Sequence, residues 1–358
     1  MSSFGTSLRL TVFGESHGEG IGAVLDGVPA GYKIDMDKVL LQMARRAPGK
    51  DKTATPRVEK DFPNVKSGIL NGVTTGAPIA CVIENTNTKS TDYSNLLKTP
   101  RPAHSDYTAY VKYGGNNDIR GGGHFSGRLT APIVFAGAVA RQILESKGVR
   151  IAAHIASIGS VSDESFDPVS IDSELINRLN GEAFALIDRS VEDAMRAEVE
   201  KARLELDSVG GTVECAVTGL PAGVGGPLFD GLEGQLARAV FGIPAVKGVE
   251  FGAGFRCASM RASENNDPFY YENGRVVTKT NNAGGILGGI SNGMPVIFRA
   301  AFKPTPSIAR EQDTVDLEAK TNTKLSIKGR HDPCIVARAV SVVEAVTAVA
   351  LLDIMGAK

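Results

Sequence analysis

Glycine constrains this chain more than any other residue. It supplies 41 of 358 residues, where average usage is near ~7%. Much of it gathers in three runs: Gly14-Glu-Ser-His-Gly-Glu-Gly-Ile-Gly22, Arg120-Gly-Gly-Gly-His-Phe-Ser-Gly-Arg128, and NNAGGILGGISNGM over 281–294. Glycine weakens helix and strand interiors and suits turns, so each run reads as a loop between short elements.

The segments between the runs supply those elements. Leu8 to Phe13 alternates as a strand, and Ala23 to Val28 follows as another before the turn Pro29-Ala30-Gly31. Asp35 can cap a helix through Arg46 that shows Val39, Leu40 and Met43 on one face and stops at Pro48-Gly49. Asn71-Gly72 signals a hairpin. Residues 99–128 read as a polar loop, and a helix runs from Ser126 to Lys147 with Gly148 after it. Helices are also expected over Ser190–Asp207 and Asp230–Val240. Asp332-Pro333 reads as a cap-and-proline opening of a long apolar helix to about Met355. Strands and helices do not alternate strictly, which gives an α+β class rather than a doubly wound sheet. No linker divides the chain, so a single domain over 1–358 is expected. Gly27-Val-Pro-Ala-Gly31 recurs as Gly219-Leu-Pro-Ala-Gly223, each copy followed by a helix and a Gly-x-Pro strand start. Two readings stay open for this echo: a duplication giving pseudo-symmetric halves, about 8–150 and 210–355, and chance recurrence of a turn.

Charge and cysteine usage exclude several classes. With 39 basic and 40 acidic residues and a net charge of −1, the chain has no global field for nucleic acid or an acidic membrane. Its four cysteines lie far apart with no C-x-x-C pair, which fits neither a disulfide framework nor zinc and suits a reducing compartment. The first residues carry no signal-peptide pattern, and no apolar run reaches the ~20 residues of a membrane span. The expectation is a cytoplasmic protein without metal, membrane or nucleic-acid partner. The glycine runs are not nucleotide motifs either. Gly18-Glu-Gly-Ile-Gly22 leads into a strand rather than opening a helix, and Gly49-Lys50 lacks the surroundings of a P-loop.

Four of the five histidines (His17, His104, His124 and His331) sit in loops beside Gly, Pro or Arg, while His154 falls in a strand pattern and reads as structural. Imidazole is the side chain best matched to proton transfer near neutral pH. Arg120 to Arg128 ends where a helix begins, so free N–H groups, helix dipole and arginines together suit an anion. Lys303-Pro-Thr-Pro-Ser307 and Gly329-Arg-His-Asp-Pro333 add cations and donors. The residues alone therefore point to an enzyme for small anionic ligands.

Taken together, Gly14-Glu-Ser-His-Gly18, Arg45-Arg46-Ala-Pro-Gly49, Arg101-Pro-Ala-His-Ser-Asp106, Arg120-Gly-Gly-Gly123, Ala283-Gly-Gly-Ile-Leu-Gly-Gly289 and Gly329-Arg-His-Asp-Pro-Cys334 resemble the chorismate synthase family, in order, from about residue 5 to 355. The resemblance implies a β-α-β sandwich and a homotetramer. It also implies a carbon–oxygen lyase that makes chorismate from 5-enolpyruvylshikimate-3-phosphate by 1,4-anti elimination of phosphate, the last common step toward the aromatic amino acids. The cofactor implied is reduced FMN, with NADPH entering only as a reductant.

Carried onto this sequence, the resemblance makes His17 the group that protonates or stabilises reduced flavin. It makes His104 the acid for the leaving phosphate, and Asp332 the helper for proton uptake at the flavin N5. Flavin contacts would fall on His124, Phe125, Ser126, Pro244, Ala245, Gly288, Lys303, Pro304, Thr305, Pro306, Ser307 and Arg330. Arg45, Arg46 and Arg128 would face substrate anions, and Arg46 is also the position tied to nicotinamide nucleotide in members that reduce their own flavin. The chain departs from the common family pattern at Ala47, Ala103, Ser105 and His124. Two other readings are a flavin-free phosphate-cleaving enzyme using His17 and His104, and an RNA-binding protein using the arginine loops. The even charge and 6% aromatic content count against the second.

Overall fold

The computed structural model describes residues 2–48, 61–86, 96, 98–327 and 332–356. Two antiparallel sheets enclose a layer of helices. The first sheet comprises β1 (Ser3–Phe4), β2 (Arg9–Gly14), β3 (Gly20–Asp26), β4 (Asn64–Ser67) and β5 (Ile79–Glu84), in the order β1-β2-β3-β5-β4. Ile21, Ala23 and Leu25 on β3, and Ile79, Cys81 and Ile83 on β5, alternate toward the core and are buried. The second sheet comprises β6 (Arg150–Ile158), β7 (Val161–Ser162), β8 (Gly211–Thr218), β9 (Val246–Phe251) and β10 (Val296–Phe302), in the order β9-β10-β8-β6-β7.

Leaving out the short edge strands β1 and β7, both sheets follow one pattern. β2-β3-β5-β4 corresponds to β6-β8-β10-β9, and the echoed Gly-x-Pro-Ala-Gly turn leaves β3 in one and β8 in the other. This shared order supports our proposal that the halves descend from one duplicated unit. A poor superposition of residues 8–85 on 210–300 would defeat it.

Between the sheets lie α1 (Met36–Arg46), α3 (Thr130–Ser146), α6 (Leu232–Val240) and α7 (Val336–Met355). Outside this layer are α2 (Asp106–Tyr113), α4 (Ser173–Leu179) and α5 (Glu192–Leu204). Asp35 caps α1 as its sequence predicts, accepting from the N–H groups of Asp37 and Lys38. α3 and α7 are apolar nearly all round because each touches a sheet and the other helix. They cross at Gly137, where an added Cβ would sit 2.3 Å from Ala345 Cα.

Three expectations shift. The loop expected over 99–128 contains α2. Its Tyr107, Tyr110, Val111 and Tyr113 are exposed, so no apolar stripe marks it in the sequence. The Asn71-Gly72 hairpin forms, but as two-residue arms outside the main sheets. The last helix begins at Val336, with Ile335 at the cap position, so Asp332 does not cap it. Among the described residues, no helix is long and apolar enough to cross a membrane.

Candidate active site

A cleft of about 970 Å³ opens where β2, the start of α3, the end of α6 and one face of α7 meet. Its size matches the upper range of small-molecule sites. The loop Arg120–Phe125 crosses its wall as a tight turn with Gly121, Gly122 and Gly123 at positive φ. Positive φ is one reason for glycine here, and space is the other. A Cβ on Gly121 would lie 2.2 Å from His17 Cε1 and Nδ1, and one on Gly122 would lie 3.3 Å from His104 Nε2. One bare backbone loop thus packs on both histidines. His104 lines the cleft, whereas buried His17 lies behind Gly121 and does not.

His104 is held on its far nitrogen. Its Nδ1 stands 2.6 Å from Asp106 Oδ1, and Arg101 clamps the same carboxylate with its backbone N–H, Nε and Nη2. Burial is the largest influence on the imidazole and pulls its pKa below the ordinary value. Asp106 opposes that pull, and Arg101 and Lys303 add to it. Burial also works against charge on Asp106, but Arg101 and His104 outweigh it and hold the carboxyl well below the usual range.

Two more carboxylates, Asp61 and Asp332, organise three of the cleft's cations. Asp61, almost fully buried, accepts from Arg46 Nη1 at 2.8 Å and pairs with Arg128 on its other oxygen. Burial opposes its ionisation, yet the two guanidinium groups prevail and lower its pKa. Arg46 also donates to Thr130 Oγ1 and the Gly127 carbonyl. Burial, and then repulsion from Arg338, bring it down to about 10, so it stays charged at neutral pH. Asp332 reaches into the cleft paired with Arg338.

His124, Phe125, Ser126, Pro244 and Ala245 line the cleft, as do Lys303, Thr305, Pro306 and Ser307. His124 is fixed between the Gly14 carbonyl and Ser2 Oγ. Pro304 and Gly288 do not line it; Gly288 occupies an exposed turn. Arg330, with its neighbour His331, lies outside the described residues.

Arg45 turns the other way. Successive helix residues point about 100° apart, so with Arg46 facing the cleft its neighbour faces the core. There Arg45 pairs with Glu344 at 2.5 Å and donates to the carbonyls of Leu179 and Glu182. His154 is structural, as read: fully buried, with Asp163 and Glu214 on its two ring nitrogens. No cluster able to hold a metal occurs among the described residues. Reading the sequence passed over Asp61, Arg338 and the Arg101–Asp106 clamp. Only the last had a signal, the close spacing within Arg101-Pro-Ala-His-Ser-Asp106.

Comparison with known proteins decides the family. The family model described as chorismate synthase matches residues 8–355. The chain belongs to the chorismate synthase family. A chorismate synthase of Dehalococcoides mccartyi is 47% identical over 353 residues, covering 99% of this chain and 96% of that one. One from Pyrococcus abyssi is 49% identical over 349 residues, covering 98% and 96%. A crystal structure of chorismate synthase superposes with a TM-score of 0.76 at 27% identity, covering 98% of this chain and 92% of that one. Membership makes the chain an enzyme and a lyase, and the sandwich is the family's fold.

Proposed function

We propose that this chain eliminates phosphate from 5-enolpyruvylshikimate-3-phosphate to give chorismate, with reduced FMN in the same cleft. The observation that carries the reading is His17 and His104 packed on one glycine loop beside a cation-lined cleft, in a chain of this family. The cleft fits both ligands. Arg46, Arg128, Lys303 and Arg338 supply positive charge for phosphate and carboxylates, and Leu10, Val12 and Ile133 supply apolar wall for a flat ring.

The bound flavin would supply electron density as the allylic C–O bond breaks and regain it as the proton leaves. His104 would give its proton from Nε2 to the departing phosphate oxygen. Asp332, held by Arg338, supplies a carboxylate for proton uptake, and His17 would hold a proton behind the glycine loop, with Gly121 between it and the cleft. Contacts to the flavin fall to His124, Phe125, Ser126, Pro244, Ala245 and the Lys303–Ser307 segment.

Separate His17→Ala and His104→Ala variants test the reading in anaerobic turnover with reduced FMN. Each should lose about 10²–10⁴-fold in kcat with flavin still bound. Near-normal turnover in both, or turnover by the parent without flavin, would refute it.

Reduction of the FMN belongs to an external reductant, with NADPH serving only as its source of electrons. Bleaching of FMN by NADPH with the pure protein would oppose that assignment. A homotetramer in the cytoplasm completes the reading. Contact between subunits is supported by Phe229, Leu228 and Phe255, which are 97%, 87% and 86% exposed in the single chain. Sedimentation as a monomer would oppose it.

A further inference from the structure

The Arg101–Asp106 segment folds back on itself. Ala103 adopts a positive φ of 57°, and the His104 N–H donates to the Arg101 carbonyl at 3.3 Å. Asp106 begins α2, where a carboxylate usually turns to the helix's own N–H groups. Here it turns the other way. Oδ2 accepts from Arg101 N–H at 3.0 Å and Nε at 2.7 Å, and Oδ1 accepts from Nη2 at 2.8 Å. The remaining Arg101 donor, Nη1, reaches Ser307 Oγ at 3.1 Å. Asp106 cannot rotate without breaking three charge-assisted bonds, and its Oδ1 is the atom that meets His104 Nδ1.

Two consequences follow for the imidazole. Its Nδ1 side is committed to a fixed carboxylate, which leaves Nε2 as the side facing Gly122 and the cleft. Its charged form has a compensating anion, where burial and the guanidinium 3.1 Å from Nδ1 would otherwise expel the proton. We propose that Asp106, gripped by Arg101 and anchored through it to Ser307, is a positioning residue that orients His104 and keeps its imidazole able to carry the proton delivered from Nε2. The proposal deepens the assignment of His104 as the acid and rests on it.

Selective nitrogen-15 labelling of histidine in the full chain tests the pair without needing turnover. In the unmodified protein, neutral His104 should carry its proton on Nδ1; finding it on Nε2 overturns the proposal, whatever the variants do. In Asp106→Asn, the His104 titration should move down by about one unit or more, as loss of a contacting opposite charge predicts. The kcat should fall roughly ten- to a hundredfold, most steeply on the alkaline side, with KM changed less than about threefold. Asp106→Glu should recover part of both. A parent-like titration in folded Asp106→Asn, or a kcat loss equal at every pH, refutes the role. If His104→Ala itself kept its turnover, the acid assignment would fall, while the titration would still decide the pair.

Discussion

Glu344 is a position where the structure predicts a large loss of stability from a single side chain. It sits on α7, 2% exposed, and meets two arginines from other helices. Its Oε2 accepts from Arg45 Nη1 at 2.5 Å and from Arg141 Nη1 at 3.3 Å. Its Oε1 accepts from Arg45 Nη2 at 3.2 Å and from the Ala153 N–H of β6 at 3.0 Å. Removing this carboxylate leaves the buried Arg45 guanidinium without its anion and Arg141 with only the partly exposed Glu145, a loss of about 3–5 kcal/mol. At ~2.1 cal/mol/K per residue, a 358-residue chain shifts by about 1.3 °C per kcal/mol, so the unfolding midpoint should drop by about 4–7 °C. Glu344→Gln keeps the shape and one acceptor, so it isolates the charge. Glu344→Leu also gives up the bond to Ala153 and should fall further.

Scanning calorimetry and urea midpoints measure both variants. Turnover at low temperature should stay within about twofold of the parent, because neither Glu344 nor Arg45 lines the cleft. A midpoint within ~1 °C of the parent would refute the ion-cluster argument. A folded variant with lost turnover would refute the placement of Arg45 away from ligand.

Gly121→Ala should displace the His17 ring, since the new Cβ would lie 2.2 Å from it. We expect turnover at least ~10-fold lower with the fold intact. Gly234→Ala, with open space at its Cβ, serves as the control, and parent-like turnover in Gly121→Ala would count against the packing. For His154, burial works against the charge, but Asp163 and Glu214 outweigh it and raise its pKa. Its stabilisation is therefore full below about 6.5, the unfolded value, and fades as pH rises through the folded value. The parent should lose more stability than His154→Gln between about pH 6 and pH 9, and equal slopes would refute the linkage.

Local physics made much of this fold legible. Asp35 before an amphipathic run specifies the start of α1, and Asn71-Gly72 specifies a turn, because each depends only on residues within a few positions. The glycine runs marked the loop that packs on both histidines. What the sequence hid depends on distant partners. Asp61 meets Arg128, 67 residues away, and Arg45 meets Glu344, 299 away. Nothing local separates Arg45 from Arg46; only the helix's rotation against its neighbours sends one to the core and the other to the cleft. Asp332 was misplaced for the opposite reason, since Asp-Pro is a strong local start signal that its ion pair with Arg338 overrides.

The position of α7 in the chain has a consequence for how the protein is made. This helix, Val336–Met355, packs on α1, α3 and α6 as well as on the second sheet, and its Asp353 accepts from the backbone N–H groups of Thr6, Ser7 and Leu8. It is made after α1, α3 and α6, yet the middle layer cannot close without it. During synthesis the apolar face of α3 that it covers must wait uncovered, a vulnerable interval that favours early engagement by chaperones. Folding is then completed by a contact between segments 345 residues apart, so loop-closure entropy rather than local propensity sets its pace.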